Sequence, residues 1–145
     1  MPVNSSVAIR ELTAEEMPLL YPLVKQLNEG LSQQDFDRFI ANMLEHGYRC
    51  AGAWQGDKLV GAVGFWTHTR FWAGMFLEVD NVVVDKDARD MGIGASLSRW
   101  VDNEAVRMGA SRVMAAVYTS NTAAQRFYVR EGYSILGFYF TKKLG

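Results

Sequence analysis

The chain has 145 residues, enough for one substantial core but short for two, and its 49% apolar and 21% charged side chains exclude a disordered tail. Its 15 basic and 16 acidic side chains nearly cancel, so no broad positive field awaits nucleic acid or anionic lipid, and any anion recognition must be local. Cys50 is the only cysteine, which excludes an intramolecular disulfide framework and a multi-cysteine zinc site and suits a reducing cytoplasm.

The opening MPVNSSVAIRELTAEEM has no apolar run behind a positive region, and no window approaches the roughly 18 apolar residues of a membrane span. A soluble, cytoplasmic protein of one domain over residues 1–145 is therefore expected. VAIREL alternates apolar and polar residues and predicts a first strand. Thr13 with Glu16 forms a capping box before AEEMPLLYPLVKQLNEG, a predicted helix whose first half is weakened by Pro18 and Pro22. Ser32 with Asp35 opens a second helix, QQDFDRFIANMLEHG, with Phe36, Phe39, Ile40, Met43 and Leu44 at helical spacing.

The middle of the chain predicts an antiparallel meander of three strands, YRCAGAWQ, KLVGAVGFWTH and MFLEVDNVVV, the first two joined at Gly56-Asp57. ASLSRWVDNEAVRMGA follows as a helix with Leu97, Trp100, Val101, Ala105 and Met108 on one face. RVMAAVY predicts a short buried strand, NTAAQRFYVREG a compact helix opened by Asn121, and YSILGFYFTKK a last strand. The expected order is β-α-α-β-β-β-α-β-α-β. His46 and His68 stand apart from any metal-ligand spacing, and no metal site is expected.

The segment VVVDKDARDMGIGASL carries the clearest chemical signal. A strand that runs through glycines into a helix leaves unpaired backbone N–H groups at the helix start, reinforced by the helix dipole. Gly92 and Gly94 lack a β-carbon, so a diphosphate can approach the main chain closely, and Ala95 and Ser96 keep the next turn uncrowded. No lysine follows Gly94, which excludes a P-loop, and Leu97 stands where a dinucleotide fingerprint has its third glycine or alanine. From this pair alone, a simple strand-to-helix turn is the equal alternative.

ARDMGIGASL resembles the Arg/Gln-x-x-Gly-x-Gly/Ala signature of the GNAT N-acetyltransferases, with Arg89, Gly92 and Gly94 in the matching places. EVDNVVVD before it, EAVRMGA and RVMAAVYTSN after it, and AAQRFYVREGY, similar to the family's Ala-x-x-x-Tyr-x-x-x-Gly-Phe segment, follow in the family's order. The likeness is close from about Gly61 onward and holds only in pattern for the first helices. AQRFYVREGY and FYFTKKL are also similar to the ending of aminoalkylphosphonate acetyltransferases within that family, which suggests a substrate.

The resemblance implies an α/β (α+β) fold with a central mixed, mostly antiparallel sheet flanked by about four helices, and acetyl-CoA as cosubstrate. It places the pyrophosphate on the amides of Asp90, Met91, Gly92, Ile93, Gly94 and Ala95 and the pantetheine arm on the main chain of Val82, Val83 and Val84. Arg89, Arg126 and Asn121 are further cofactor candidates. Glu78 matches the base glutamate of some members, with Asp80 as the next candidate; counting by two from Val84 puts both on one strand face. Tyr128 matches the general acid, because a phenol near ~10 keeps its proton until a thiolate forms. A packed aromatic whose hydroxyl meets a backbone carbonyl is the alternative for Tyr128.

The expected reaction is direct attack of a primary amine on the thioester in a ternary complex. A silent acyl-CoA-binding sensor or assembly module is the competing expectation. The acceptor stays open among an aminophosphonate, a small amine or amino acid, an antibiotic amine and a peptide amine; neither nucleic acid nor membrane is an expected partner. The aromatic run GFWTHTRFWAGMF exceeds what a monomer usually exposes and points to a covered site or a subunit interface, and the resemblance implies a homodimer, as in many small members of the family.

Overall fold

The computed structural model describes residues 6–145; the first five residues of the segment inspected for a leader lie outside it. Five strands, β1 (Val7–Glu11), β2 (Arg49–Gln55), β3 (Lys58–Arg70), β4 (Gly74–Val84) and β5 (Val113–Ala115), form one sheet in that order. All neighbours are antiparallel except β4 and β5, which run parallel. The meander of β2, β3 and β4 follows its predicted course.

The helices are α1 (Tyr21–Leu27), α2 (Gln33–Glu45), α3 (Ile93–Met108) and α4 (Thr122–Arg130). The single helix expected over residues 14–30 is divided: Ala14–Leu20 winds as a 3-10 helix that holds Pro18, and Pro22 falls in the first turn of α1. A proline there loses no hydrogen bond, because first-turn N–H groups have no intrahelical acceptor. The capping box forms as expected, with Glu16 Oε1 accepting from Thr13 N at 2.9 Å. Ser32 caps α2 by accepting from Asp35 N at 3.0 Å.

The sheet separates two cores. Leu97, Val101 and Ala105 of α3 pack on one face against Val63, Phe65, Leu77 and Val79. Leu20, Leu23 and Phe36 cover the other face against Cys50, Trp54 and Ala62. Arg49 anchors α3 to the sheet, pairing with Glu11 at 2.7 Å and with Glu104, whose carboxyl the Arg107 and Arg49 guanidiniums hold down at about 2.

Two departures from the sequence expectation shape the site. Between β3 and β4, Val63 faces Val82 while Phe65 faces Val79, so β4 carries one extra residue at Asp80–Asn81. Such a bulge reverses the alternation of side chains. Val82 and Val84 therefore pack toward the same core as Leu77 and Val79, and the single face expected to hold Glu78, Asp80, Val82 and Val84 does not exist. In addition, YSILGFYFTKK forms no strand: among the described residues its backbone enters no sheet pairing, and the bond from Tyr133 N to Tyr128 O only closes the end of α4. Its strand-forming side chains remain, but β5 ends after three residues and offers little ladder to join.

Candidate functional site

The segment after β4 folds from its own short-range chemistry. Asp85 caps a 3-10 turn, Lys86–Ala88, by accepting from Asp87 N at 2.9 Å. Asp90 and Gly92 then adopt left-handed backbone, φ 66° and 73°, and Asp90 is the only non-glycine to do so among the described residues. Gly92 is the N-cap of α3 and donates no side chain to it, so the first intrahelical bond runs from Ser96 N to Gly92 O at 3.1 Å. None of the seven backbone N–H groups of residues 89–95 donates to a protein oxygen among the described residues. Alternating left-handed residues before a helix N-terminus turn such amides inward as an anion nest.

Here α3 begins at Ile93, two residues earlier than its sequence signal. This alters the role of Gly94. It lies within the first helical turn, and a β-carbon on it would come 3.3 Å from Phe127 Cε1 of α4. The glycine thus serves close packing of α4 on α3, while Gly92 supplies the backbone freedom. Arg89 is exposed beside the nest and Ile93 is buried beneath it.

Before the Lys86–Ala88 turn, the chain leading to the nest is an open strand edge. β4 pairs with β5 only from Leu77 to Val79, whereas its pairing with β3 continues to Val84. From Asp80 onward the outer edge of β4 has no strand beside it, and the bulge lies where β5 stops. An extended ligand can hydrogen-bond to such an edge as an added strand. Val82 turns its side chain into a crevice shared with Gly94, Ser98, Phe127, Tyr128 and Tyr133; Val83 is buried in the opposite core, so only its main chain faces this edge.

Tyr128 lies in that crevice, its ring edge-on to Phe127 and Tyr133 at centroid distances of 5.2 and 5.0 Å. Burial pushes its hydroxyl up to about 12. No carbonyl accepts from that hydroxyl among the described residues, so the merely packed tyrosine lacks its expected anchor. Asn121 caps α4 by accepting from Ala124 N at 3.0 Å. Arg126 is exposed on the same helix and enters no ion pair among the described residues.

On the other side of Val79 lies an open cleft of about 360 Å³ lined by Trp66, His68, Glu78, Val79, Asp80 and Ala116. Glu78 Oε1 is 3.2 Å from His68 Nε2, and its Oε2 accepts from the Tyr139 hydroxyl. Asp80 accepts from Trp66 Nε1 at 2.9 Å. Tyr128 and Glu78 thus stand in two adjoining hollows that share Val79 as a wall. The arrangement offers an anion nest, a strand edge, a proton donor and a carboxylate in sequence along β4.

Sequence inspection missed His68 and Tyr139. The first was recoverable: Arg70 pairs with Gly74 across a three-residue turn, a register that sets Trp66 opposite Glu78 and puts His68 two residues along on the same face. Tyr139 carried no such signal, because it comes from a segment that belongs to no ladder.

The sequence matches the acetyltransferase (GNAT) family over residues 7–133. It is 34% identical over 142 residues to an aminoalkylphosphonate N-acetyltransferase of Salmonella typhimurium, an alignment covering 94% of this chain and 90% of that protein. The fold is similar to that of the aminoglycoside N-acetyltransferase AAC(6')-Iy in complex with CoA, with TM-score 0.84, 14% identity and coverage of 95% of this chain and 94% of that one. It is also similar to a ribosomal-protein-alanine N-acetyltransferase from Brucella melitensis, with TM-score 0.83, 19% identity and coverage of 96% and 99%.

Proposed function

The chain belongs to the acetyltransferase (GNAT) family and is an acetyl-CoA-dependent N-acetyltransferase of amines, and on that premise we propose a division of labour among its residues. The amides of residues 89–95 hold the diphosphate of acetyl-CoA, and the free edge of β4 at Val82, Val83 and Val84 aligns the pantetheine arm. The observation that carries this is the run of unpaired N–H groups at residues 89–95, set just beyond the short Lys86–Ala88 turn that follows an unpaired strand edge. Arg89 and Arg126 add charge near the phosphates. Asn121 acts by holding the first turn of α4.

When bound, the thioester supplies an activated acyl carbon and a sulfur leaving group. Glu78, with Asp80 beside it, is the carboxylate that serves removal of a proton from the attacking amine in the cleft, and Tyr128 delivers one to the departing sulfur. A hydroxyl held near 12 stays protonated until a thiolate, ordinarily ~8.5 when protonated, forms beside it.

The acceptor we propose is an aminoalkylphosphonate, the substrate class in the name of the Salmonella relative. Cellular placement in the cytoplasm agrees with buried Cys50 and with a chain in which no described helix is long and apolar enough to cross a membrane. Thiol release from acetyl-CoA with 2-aminoethylphosphonate, an aminoglycoside, a peptide amine and simple alkylamines tests the acceptor. Preference for the phosphonate is expected; equal rates with alkylamines would overturn that assignment. Acetyl-CoA binding without thiol release from any amine would revive the sensor alternative.

We further propose a homodimer in which a second copy covers residues 134–145. Ile135, Phe138 and Phe140 of this segment are 86%, 81% and 95% exposed, a strand-forming sequence with no ladder of its own, and β5 is an edge strand at the same end of the sheet. Two copies related by a twofold axis can satisfy both at once. Light scattering after gel filtration should give twice the chain mass; a monomer at micromolar concentration would rule this out.

A further inference from the structure

We infer that His68 is the proton acceptor of the reaction, held in place by Glu78, so that the base is this pair rather than the carboxylate alone. The inference rests on the proposed acceptor cleft and adds a residue to it. Glu78 is only 18% exposed at its side chain, and both of its oxygens have a close neighbour before any substrate arrives: Oε1 lies 3.2 Å from His68 Nε2, and Oε2 accepts from the Tyr139 hydroxyl. The phenol responds to this contact, its own proton being held more tightly because of the hydrogen bond to Glu78. His68 lines the same cleft, is 38% exposed, and its Nδ1 makes no hydrogen bond to protein among the described residues. The open acceptor in the cleft is therefore that nitrogen.

The arrangement follows the logic of a carboxylate that orients an imidazole. The Glu78 carboxylate, 3.2 Å from Nε2, favours the ring proton on that nitrogen and so leaves the lone pair on Nδ1. As the amine nitrogen bonds to the acyl carbon, its N–H bond breaks and the proton passes, directly or through one water, to Nδ1. The imidazolium formed pairs with the Glu78 carboxylate on its Nε2 side and returns the Nδ1 proton to solvent. An imidazole, ordinarily ~6.5, lies closer to an alkylammonium than a carboxylate at ~4 does. The ring is supported by Phe76, at 5.8 Å between centroids, and Tyr139 fixes the far oxygen of the carboxylate.

The charged and titratable groups around the pair are Arg70 from β3, which lies over the Phe76 ring, Asp80 from β4 and Tyr139 from the C-terminal segment; the position opposite Glu78 on β5 is the apolar Met114. The test is a set of pH profiles of kcat for the full chain and its His68→Gln, His68→Ala, Glu78→Gln and Tyr139→Phe variants, with acetyl-CoA binding and melting temperature as controls. His68→Gln should lower kcat about 100-fold, change the shape of the pH profile of kcat, and leave acetyl-CoA affinity unchanged. Added imidazole should restore part of the rate to His68→Ala, and Tyr139→Phe should lose only a few-fold.

A Glu78→Gln enzyme that is crippled beside a His68→Gln enzyme with the parental pH profile would overturn this inference while leaving Glu78 as base. Loss of rate in both without change of profile and without imidazole rescue would assign His68 a structural part and overturn it too. Parental activity in Glu78→Gln would instead remove the cleft from the reaction.

Discussion

The turn at residues 89–95 and the cleft around Glu78 lie on the same strand and solve opposite problems. The turn presents main-chain donors and needs side chains only where they allow the backbone to bend, as at Gly92 with φ 73°. The cleft presents side chains from β3, β4 and the C-terminal segment, and its backbone is fully committed to the β3–β4 ladder at Trp66 and Glu78. A ligand common to a whole family of reactions is met by the part that every sequence can build from peptide groups. A ligand that differs from enzyme to enzyme is met by the part whose side chains can be exchanged.

Breaking the chemistry while sparing the turn should give the largest effect. Tyr128→Phe removes a hydroxyl but keeps the ring packed between Phe127 and Tyr133, so kcat should fall about 100-fold with unchanged acetyl-CoA affinity, as read by steady-state kinetics beside calorimetry. Gly92→Ala makes the converse cut. A β-carbon in left-handed backbone costs about 1 kcal/mol, and relieving it swings the amides out of line, so the acetyl-CoA Kd should rise roughly fivefold to tenfold while kcat at saturation holds. If Gly92→Ala lowered kcat and spared Kd, the nest would not be the phosphate holder.

The same contrast explains what the sequence disclosed. Gly92, the Asn121 cap, the Thr13–Glu16 box and the α3 face are local signals, and each appears where its residues predict it. The face count along β4 failed because a bulge at Asp80–Asn81 inserts one residue, and nothing in the alternation of EVDNVVV marks it. YSILGFYFTKK has the composition of a strand, yet strands exist only in pairs, and its partner is not fixed by its own sequence. Tyr139 was invisible for that reason. Gly94 acquires a second role, packing against Phe127, that its own segment could not show because Phe127 lies 33 residues away and becomes a neighbour only when α4 docks on α3.

Gly94→Ala distinguishes these two roles directly. If the missing β-carbon mattered for diphosphate approach, the substitution would raise Kd; with Phe127 at 3.3 Å from the new methyl, α4 must instead move by a few tenths of an ångström and take Tyr128 with it. The expectation is a twofold to fivefold fall in kcat, little change in Kd, and a melting temperature held up by the better helix propensity of alanine.

Arg89→Ala should have the smallest effect. An exposed guanidinium near a phosphate contributes about 0.5 kcal/mol, so the KM for acetyl-CoA should rise roughly twofold and the difference should vanish in high salt. Arg126→Ala should behave alike. A tenfold rise that survived high salt would mean that side-chain charge, and not peptide N–H groups, dominates phosphate binding, and the contrast between the turn and the cleft would then collapse, since both regions would depend on exchangeable side chains.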